Sequence, residues 1–210
     1  MKTRPKRGDR RSALATLFAA VGLLLGVTTT GTATEERWSD RVRLSEPPAL
    51  VPGFTLTDQD GQPFTSKQLR GKAALVFFGF TNCPNVCPPT MQKLRQVQRS
   101  LTAEQLAIDC VLISVDGSRD TPEVMREYLE PFMPGFIGLT GDPRLVRDIA
   151  AGFSAVFFKG MPNDDSGGYL VEHSSQVYLL DREGLLRATF YNAAADEIEE
   201  VVRQLIRRTD

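Results

Sequence analysis

Ala73-Ala74-Leu75-Val76-Phe77-Phe78 runs directly into Gly79-Phe80-Thr81-Asn82-Cys83-Pro84-Asn85-Val86-Cys87-Pro88-Pro89-Thr90. The first six residues are apolar without a break, which suits a strand buried on both faces. Pro88 and Pro89 suit the first turn of a helix, because early helical positions do not use their N–H groups, and the helix reads on to about Ser100. Two cysteines therefore stand where a buried strand gives way to a helix. Such a junction presents unpaired N–H groups and the positive end of a dipole, both of which favour thiolate. A spacing of four lets the two sulfurs face one side once Cys87 enters the helix. A plain disulfide or two buried thiols would use the same residues.

Outward from this stretch the pattern continues. Ile108 to Val115 is a second buried strand, Phe136 to Leu139 a short one, and Val177 to Leu180 another. Thr121-Pro122 and Asp142-Pro143 each place a capping side chain before a proline and so start helices, the second ending near Gly152. Phe54-Thr55-Leu56-Thr57 turns at Asp58-Gln59-Asp60-Gly61 into Gln62 to Thr65, an N-terminal hairpin. Asp181-Arg182-Glu183-Gly184 turns Val177–Leu180 back into Leu185–Phe190, and Asp196 to Arg208 closes the chain as a helix. Residues 159–168, rich in Gly, Asp and Pro, read as a loop. Strands alternating with helices and ending in a hairpin predict an α/β three-layer domain with a mixed central sheet, over residues 49–210.

The chain has 210 residues, 41% hydrophobic and 24% charged, an ordinary globular composition. Three cysteines are too few for a disulfide scaffold. The formal net charge is −1. Six of the 25 basic groups (Lys2, Arg4, Lys6, Arg7, Arg10, Arg11) and one of the 26 acids (Asp9) fall in the first eleven residues, so the remainder carries −6. A mildly acidic body argues against nucleic acid as a partner, since phosphates demand a basic face. A single histidine excludes zinc sites built on two or three imidazoles.

Residues 1–33 read as a signal peptide or signal anchor. A basic flank precedes an uncharged stretch from Ser12 to Thr34 that contains Leu23-Leu24-Leu25. Gly31-Thr32-Ala33 offers small residues for cleavage, while the uncharged length also suffices to span a hydrocarbon core of about 30 Å. Both fates stay open, as do general secretion and a twin-arginine route through Arg10-Arg11. Either way the basic flank stays cytoplasmic and the body is exported, to the periplasmic side of a bacterial inner membrane. Residues 34–48, polar and ending in Pro47-Pro48, read as a tether, with Trp38 a possible interfacial aromatic.

Phe78 through Thr90 resembles the Sco/SenC family of copper-binding thioredoxin-like proteins. So do Ser114-Val115-Asp116 with Arg119-Asp120-Thr121-Pro122, Gly138-Leu139-Thr140-Gly141, and His173-Ser174-Ser175 with Tyr178-Leu179-Leu180-Asp181. The resemblance covers roughly residues 49–208, and its Cys-Pro-x-x-Cys-Pro element is specific. It implies a thioredoxin-like fold, copper ligands at Cys83, Cys87 and His173, and service in cytochrome c oxidase assembly. The partner it implies is the oxidase's copper-bearing subunit, or another copper donor or acceptor. Four positions depart from the family pattern: Asn85 for Asp, Gly117 for Pro, Glu172 for Asp and Arg182 for Pro.

The residue chemistry agrees with copper. Two thiolates and an imidazole suit Cu(I), whereas Cu(II) would want a fourth donor and zinc usually fills a fourth position. His173 lies in Glu172-His173-Ser174-Ser175, read as a polar turn before an apolar strand. The rival is a thiol–disulfide oxidoreductase with Cys83 and Cys87 as its redox pair, reducing the cysteines of a copper site or handling peroxide. The three intervening residues count against ordinary thioredoxin chemistry, and a dithiol enzyme has no need of His173. Cys110 reads as a core thiol, and Met91 and Met125 as core residues with the chemistry of thioether ligands. Asp116 and Asp120 read as capping or loop-bonding groups, or as tuners of the site or contacts for a partner.

Overall fold

The computed structural model describes residues 39–162 and 169–207. The expected signal or anchor segment and Trp38 lie outside the described residues. The strands are β1 (Val42–Leu50), β2 (Thr55–Asp58), β3 (Pro63–Thr65), β4 (Ala73–Gly79), β5 (Ile108–Ser114), β6 (Phe136–Thr140), β7 (Phe157–Pro162), β8 (Tyr169–His173), β9 (Val177–Leu180) and β10 (Leu185–Phe190). The helices are α1 (Cys87–Ala103), α2 (Pro122–Leu129), α3 (Pro143–Gly152) and α4 (Ala195–Arg207).

Eight strands form one mixed sheet in the order β1-β10-β9-β4-β5-β6-β2-β3. Its centre, β4-β5-β6, is parallel, because each pair is joined through a helix. The flanks are antiparallel, β9 on β4, β10 on β9 and β2 on β6. Every residue of β4 is buried, as its unbroken apolar run requires. Successive β4 side chains point to opposite faces. Phe78 packs edge-on against Phe153 and Tyr178 at 5.4 and 5.9 Å between ring centroids, while Phe77 faces His173. On α4, Ile198, Val201, Val202, Leu205 and Ile206 form a buried stripe, and the helix packs on α1.

The local capping signals hold. Thr121 accepts from the Val124 N–H at 3.4 Å, and Asp142 accepts from the Arg144 N–H at 2.7 Å. The β2–β3 hairpin pairs Leu56 with Phe64 across its turn. This is the thioredoxin-like architecture, a mixed sheet with four helices.

Three expectations are corrected. Part of the segment read as a tether is a strand: Val42, Arg43 and Leu44 pair with Phe190, Thr189 and Ala188, and Ala49 and Leu50 with Leu186 and Leu185. The prolines are compatible with this because residues 45–48 fall in the register shift between the paired segments, on an edge strand that needs few donors. Part of the 159–168 loop is also strand. Phe157–Pro162 pairs antiparallel with Tyr169–His173 as a separate two-stranded sheet. His173 is thus the last residue of a strand rather than part of a turn.

Candidate metal centre

The cysteine loop is built by the sheet that precedes it. β4 stops at Gly79, the Cys83 N–H returns to the Phe80 carbonyl at 3.2 Å, and α1 begins at Cys87 with Pro88 and Pro89 in its first turn. The Cys87 N–H donates to Cys83 Sγ at 3.4 Å, so the helix start itself feeds the first sulfur. Upstream, the Thr81 N–H and Oγ1–H both donate to the Asp120 carboxylate, at 3.1 and 2.6 Å. Ser114 Oγ donates to the same carboxylate at 2.6 Å.

His173 comes in from β8. Its Nδ1 lies 3.0 Å from the Ser174 carbonyl oxygen, which can only accept, so Nδ1 carries a proton, and Nε2 is the ring nitrogen that faces the sulfurs, donating to them when it too is protonated. Nε2 stands 3.5 Å from Cys87 Sγ and 3.8 Å from Cys83 Sγ. Phe77 and Phe80 meet the imidazole edge-on, at 5.8 and 5.7 Å between centroids, and confine the ring. All three cysteines are free thiols.

The two sulfurs differ electrically. Burial opposes charge on Cys83, but hydrogen bonds with His173, the Cys87 N–H and the Asn85 N–H outweigh it and bring the thiol down to about 7. Burial pushes Cys87 far up, and the neighbouring Cys83 and Asp120 charges add to the effect. One thiolate is therefore ready at neutral pH, and the second sulfur yields its proton only to something that compensates the charge.

The donor set fits a soft metal ion. Cys83, Cys87 and His173 offer three donor atoms within 4.8 Å of one another among the described residues. Gly79 keeps the space open: a Cβ there would lie 2.8 Å from Cys87 Sγ and 2.8 Å from Phe77 Cε1. The three residues expected to act together are thus brought together. Cys110 is buried on β5, its thiol 3.8 Å from the Leu94 carbonyl and pushed up by burial. Met91 and Met125 are buried in the core.

The SCO1/SenC family model matches residues 42–209. The chain belongs to this family. An SCO2-like protein of Rickettsia prowazekii is 36% identical over 167 residues, spanning 79% of this chain and 78% of its own length. Arabidopsis thaliana ScoI, solved with copper bound, superposes with a TM-score of 0.69 at 34% identity, covering 75% of this chain and 98% of that one. Yeast Sco1 superposes with a TM-score of 0.71 at 31% identity, covering 77% and 99%.

Within this Sco framework, several contributors escaped the sequence reading. Phe77 looked like an ordinary strand residue, and Gly79 and Phe80 entered only as part of the family motif, with no role of their own. Tyr169, whose hydroxyl donates to Asp116 Oδ1 at 2.6 Å, sat beside a segment read as a loop. The usable signal was the short β-prone apolar run Tyr169-Leu170-Val171, in which Val171 is buried and its neighbours are not. The departure at Gly117 has a structural counterpart, since its backbone packs against the Gly141 carbonyl and leaves no room for a Cβ.

Proposed function

We propose that this chain is an exported copper metallochaperone that carries copper on Cys83, Cys87 and His173 and delivers it to the dinuclear copper site of cytochrome c oxidase. The observation that carries the reading is the convergence of two thiols and one imidazole nitrogen within 4.8 Å. Family membership supports the oxidase as recipient, and the copper-bound ScoI structure supports the metal. Softness of the donors favours Cu(I), and His173 adds the harder donor that Cu(II) needs. Copper is cargo here, so no turnover is required.

The residues divide the work. Cys83 supplies a thiolate at neutral pH. Cys87 releases its proton as the metal arrives, so loading is coupled to proton release. The Ser174 carbonyl holds the imidazole so that Nε2 stays on the site. Localisation follows from residues 1–33. The body stands on the periplasmic side of a bacterial inner membrane, held there if the segment stays and released if it is cleaved.

A second reading, thiol–disulfide reduction, draws on the low value of Cys83, which suits an attacking thiolate with Cys87 resolving. The two separate on His173. Reduced protein should bind one Cu(I) per chain, and Cys83→Ala or Cys87→Ala should abolish tight binding. His173→Ala should keep weaker Cu(I) binding and lose most Cu(II) binding. In cells starved of copper, His173→Ala should impair cytochrome c oxidase and excess copper should partly restore it. Normal oxidase in the His173 variant, with loss only in the Cys83 variant, would favour the reductase.

A further inference from the structure

The histidine arrives on a ribbon that stands apart. β7 and β8 pair with each other and take no place in the main sheet, so its ladder does not hold them. Phe157 and Val171 anchor the inner face of the ribbon by burial. A polar junction secures it at Tyr169, the first residue of the strand that ends in His173. There the Tyr169 hydroxyl donates to Asp116 Oδ1 at 2.6 Å, and Arg119 Nη1 donates to the Tyr169 carbonyl at 3.0 Å. The Arg119 side chain also pairs with Asp116, and its guanidinium lies 3.9 Å from the centroid of the Tyr169 ring and 5.8 Å from that of Phe80. Phe80 in turn meets the His173 ring.

The cysteine half is tied to the same segment. Asp120, four residues after Asp116, takes the two hydrogen bonds from Thr81, two residues before Cys83. Both aspartates are buried, and a buried carboxylate is costly unless its partners stay in place. The stretch from Ser114 to Thr121 therefore holds one carboxylate against the cysteine loop and one against the histidine ribbon. The segment is itself fixed by the Thr140 Oγ1–H bond to the Asp120 carbonyl at 2.6 Å and by the close packing of Gly117 on Gly141.

We propose that Asp116 and Asp120 form a bracket that sets the separation between the cysteine pair and His173, with Tyr169 and Arg119 as positioning residues for the histidine and Thr81 for the cysteines. The proposal concerns the spacing of the three side chains. Its copper readouts rest on the function proposed above, whereas its metal-free readout does not.

The test uses the full chain and two near-isosteric variants, each deleting one hydroxyl. Tyr169→Phe keeps the ring and its stacking but frees the ribbon end, and Thr81→Val keeps the N–H bond but loosens the cysteine loop. Because the chain has one histidine, its imidazole NMR signal is unambiguous. In the metal-free protein that signal should be single in the wild type and shifted or split in Tyr169→Phe, and it should shift in Thr81→Val as well, because Nε2 faces Cys83 Sγ and the ring meets Phe80 on the loosened loop. Loss of one hydrogen bond to a charged group should weaken Cu(II) binding about tenfold in Tyr169→Phe, with a changed Cu(II) absorption spectrum and little change in Cu(I) affinity. Thr81→Val should weaken Cu(I) by a comparable factor, since both thiolates depend on that loop.

An unchanged imidazole signal in Tyr169→Phe overturns the bracket. So does an altered signal with Cu(II) affinity and spectrum intact, which would leave Tyr169 a merely structural residue. If the wild type bound no copper, the proposed function would fail while the imidazole signal still decided the bracket.

Discussion

Replacing Gly79 with alanine tests whether the space beside the sulfurs is functional. The added methyl would lie 2.8 Å from Cys87 Sγ, 2.8 Å from Phe77 Cε1 and 3.1 Å from Leu112 Cδ1. Ordinary contact begins near 3.4 Å, so all three neighbours must move by a few tenths of an ångström. All three sit in the packed core, Cys87 and Phe77 wholly buried and Leu112 nearly so, where such shifts disturb further neighbours. Overpacking of this kind costs about 1–3 kcal/mol, and the reduced freedom of the unfolded chain returns about 0.4–1 kcal/mol. A net loss of about 1–2 kcal/mol should lower Tm by about 2–8 °C in a domain of this size. The larger effect should fall on the metal, because the atom displaced is a donor. Cu(I) affinity, measured by competition with a chromophoric chelator, should drop about tenfold or more, which corresponds to about 1.4 kcal/mol or more. Gly53→Ala serves as the control, since its Cβ would meet nothing closer than Ser66 Oγ at 3.9 Å. If Gly79→Ala matches the wild type in both Tm and Cu(I) affinity, the reasoning from space is wrong.

Three further outcomes are expected. Cys83 is held below the ordinary thiol range, so its reactive form is lost only as pH falls through about 7; alkylation by iodoacetamide should rise with a midpoint near pH 7 and Cu(I) loading should weaken below it, while Cys87 and Cys110 stay unreactive in the folded protein. A flat alkylation profile across that range would contradict the assigned role of Cys83. Oxidation to a Cys83–Cys87 disulfide, verified by mass, should remove Cu(I) binding because the same sulfurs cannot serve both purposes, and full retained affinity would place the ligands elsewhere. Arg187 Nη1 lies 3.2 Å from the carboxylate of buried Asp181; Arg187→Met should cost about 3 kcal/mol in urea denaturation, and a loss near zero would mean that water reaches the pair.

What could be read from the sequence was what local chemistry decides. The β4–α1 stretch carries its own strand pattern, its own helix start and both thiols, so fold class and cysteine geometry follow from eighteen consecutive residues. Thr121 and Asp142 cap their helices through bonds spanning two or three residues, and such bonds are visible in a linear string. The missed parts depend on distant partners. Tyr169 matters because of Asp116, 53 residues away, and nothing local marks the pair. Prolines at 47 and 48 argued against a strand because the register shift that accommodates them is defined only by β10. The glycine- and aspartate-rich run after Lys159 outweighed the short apolar runs Phe157-Phe158 and Tyr169-Leu170-Val171 on either side, which belong to a ribbon. His173 was identified as the partner of the cysteines through its family resemblance, whereas its place at a strand end, gripped by Phe77 and Phe80, required the fold.

The two rims of the main sheet bear on how copies of this protein behave when crowded. A sheet edge offers a row of unpaired N–H and C=O groups on which another chain can grow. One rim here is β1, whose stretch 45–48 leaves the ladder and contains two residues without an N–H to donate. The other is β3, three residues long and opened by Pro63. Neither rim presents a long, regular run of free backbone donors. If the anchor proposed for residues 1–33 is retained, neighbouring copies diffuse in two dimensions at high local density, the condition in which edge-to-edge association is most frequent. Prolines at both rims would keep such encounters transient.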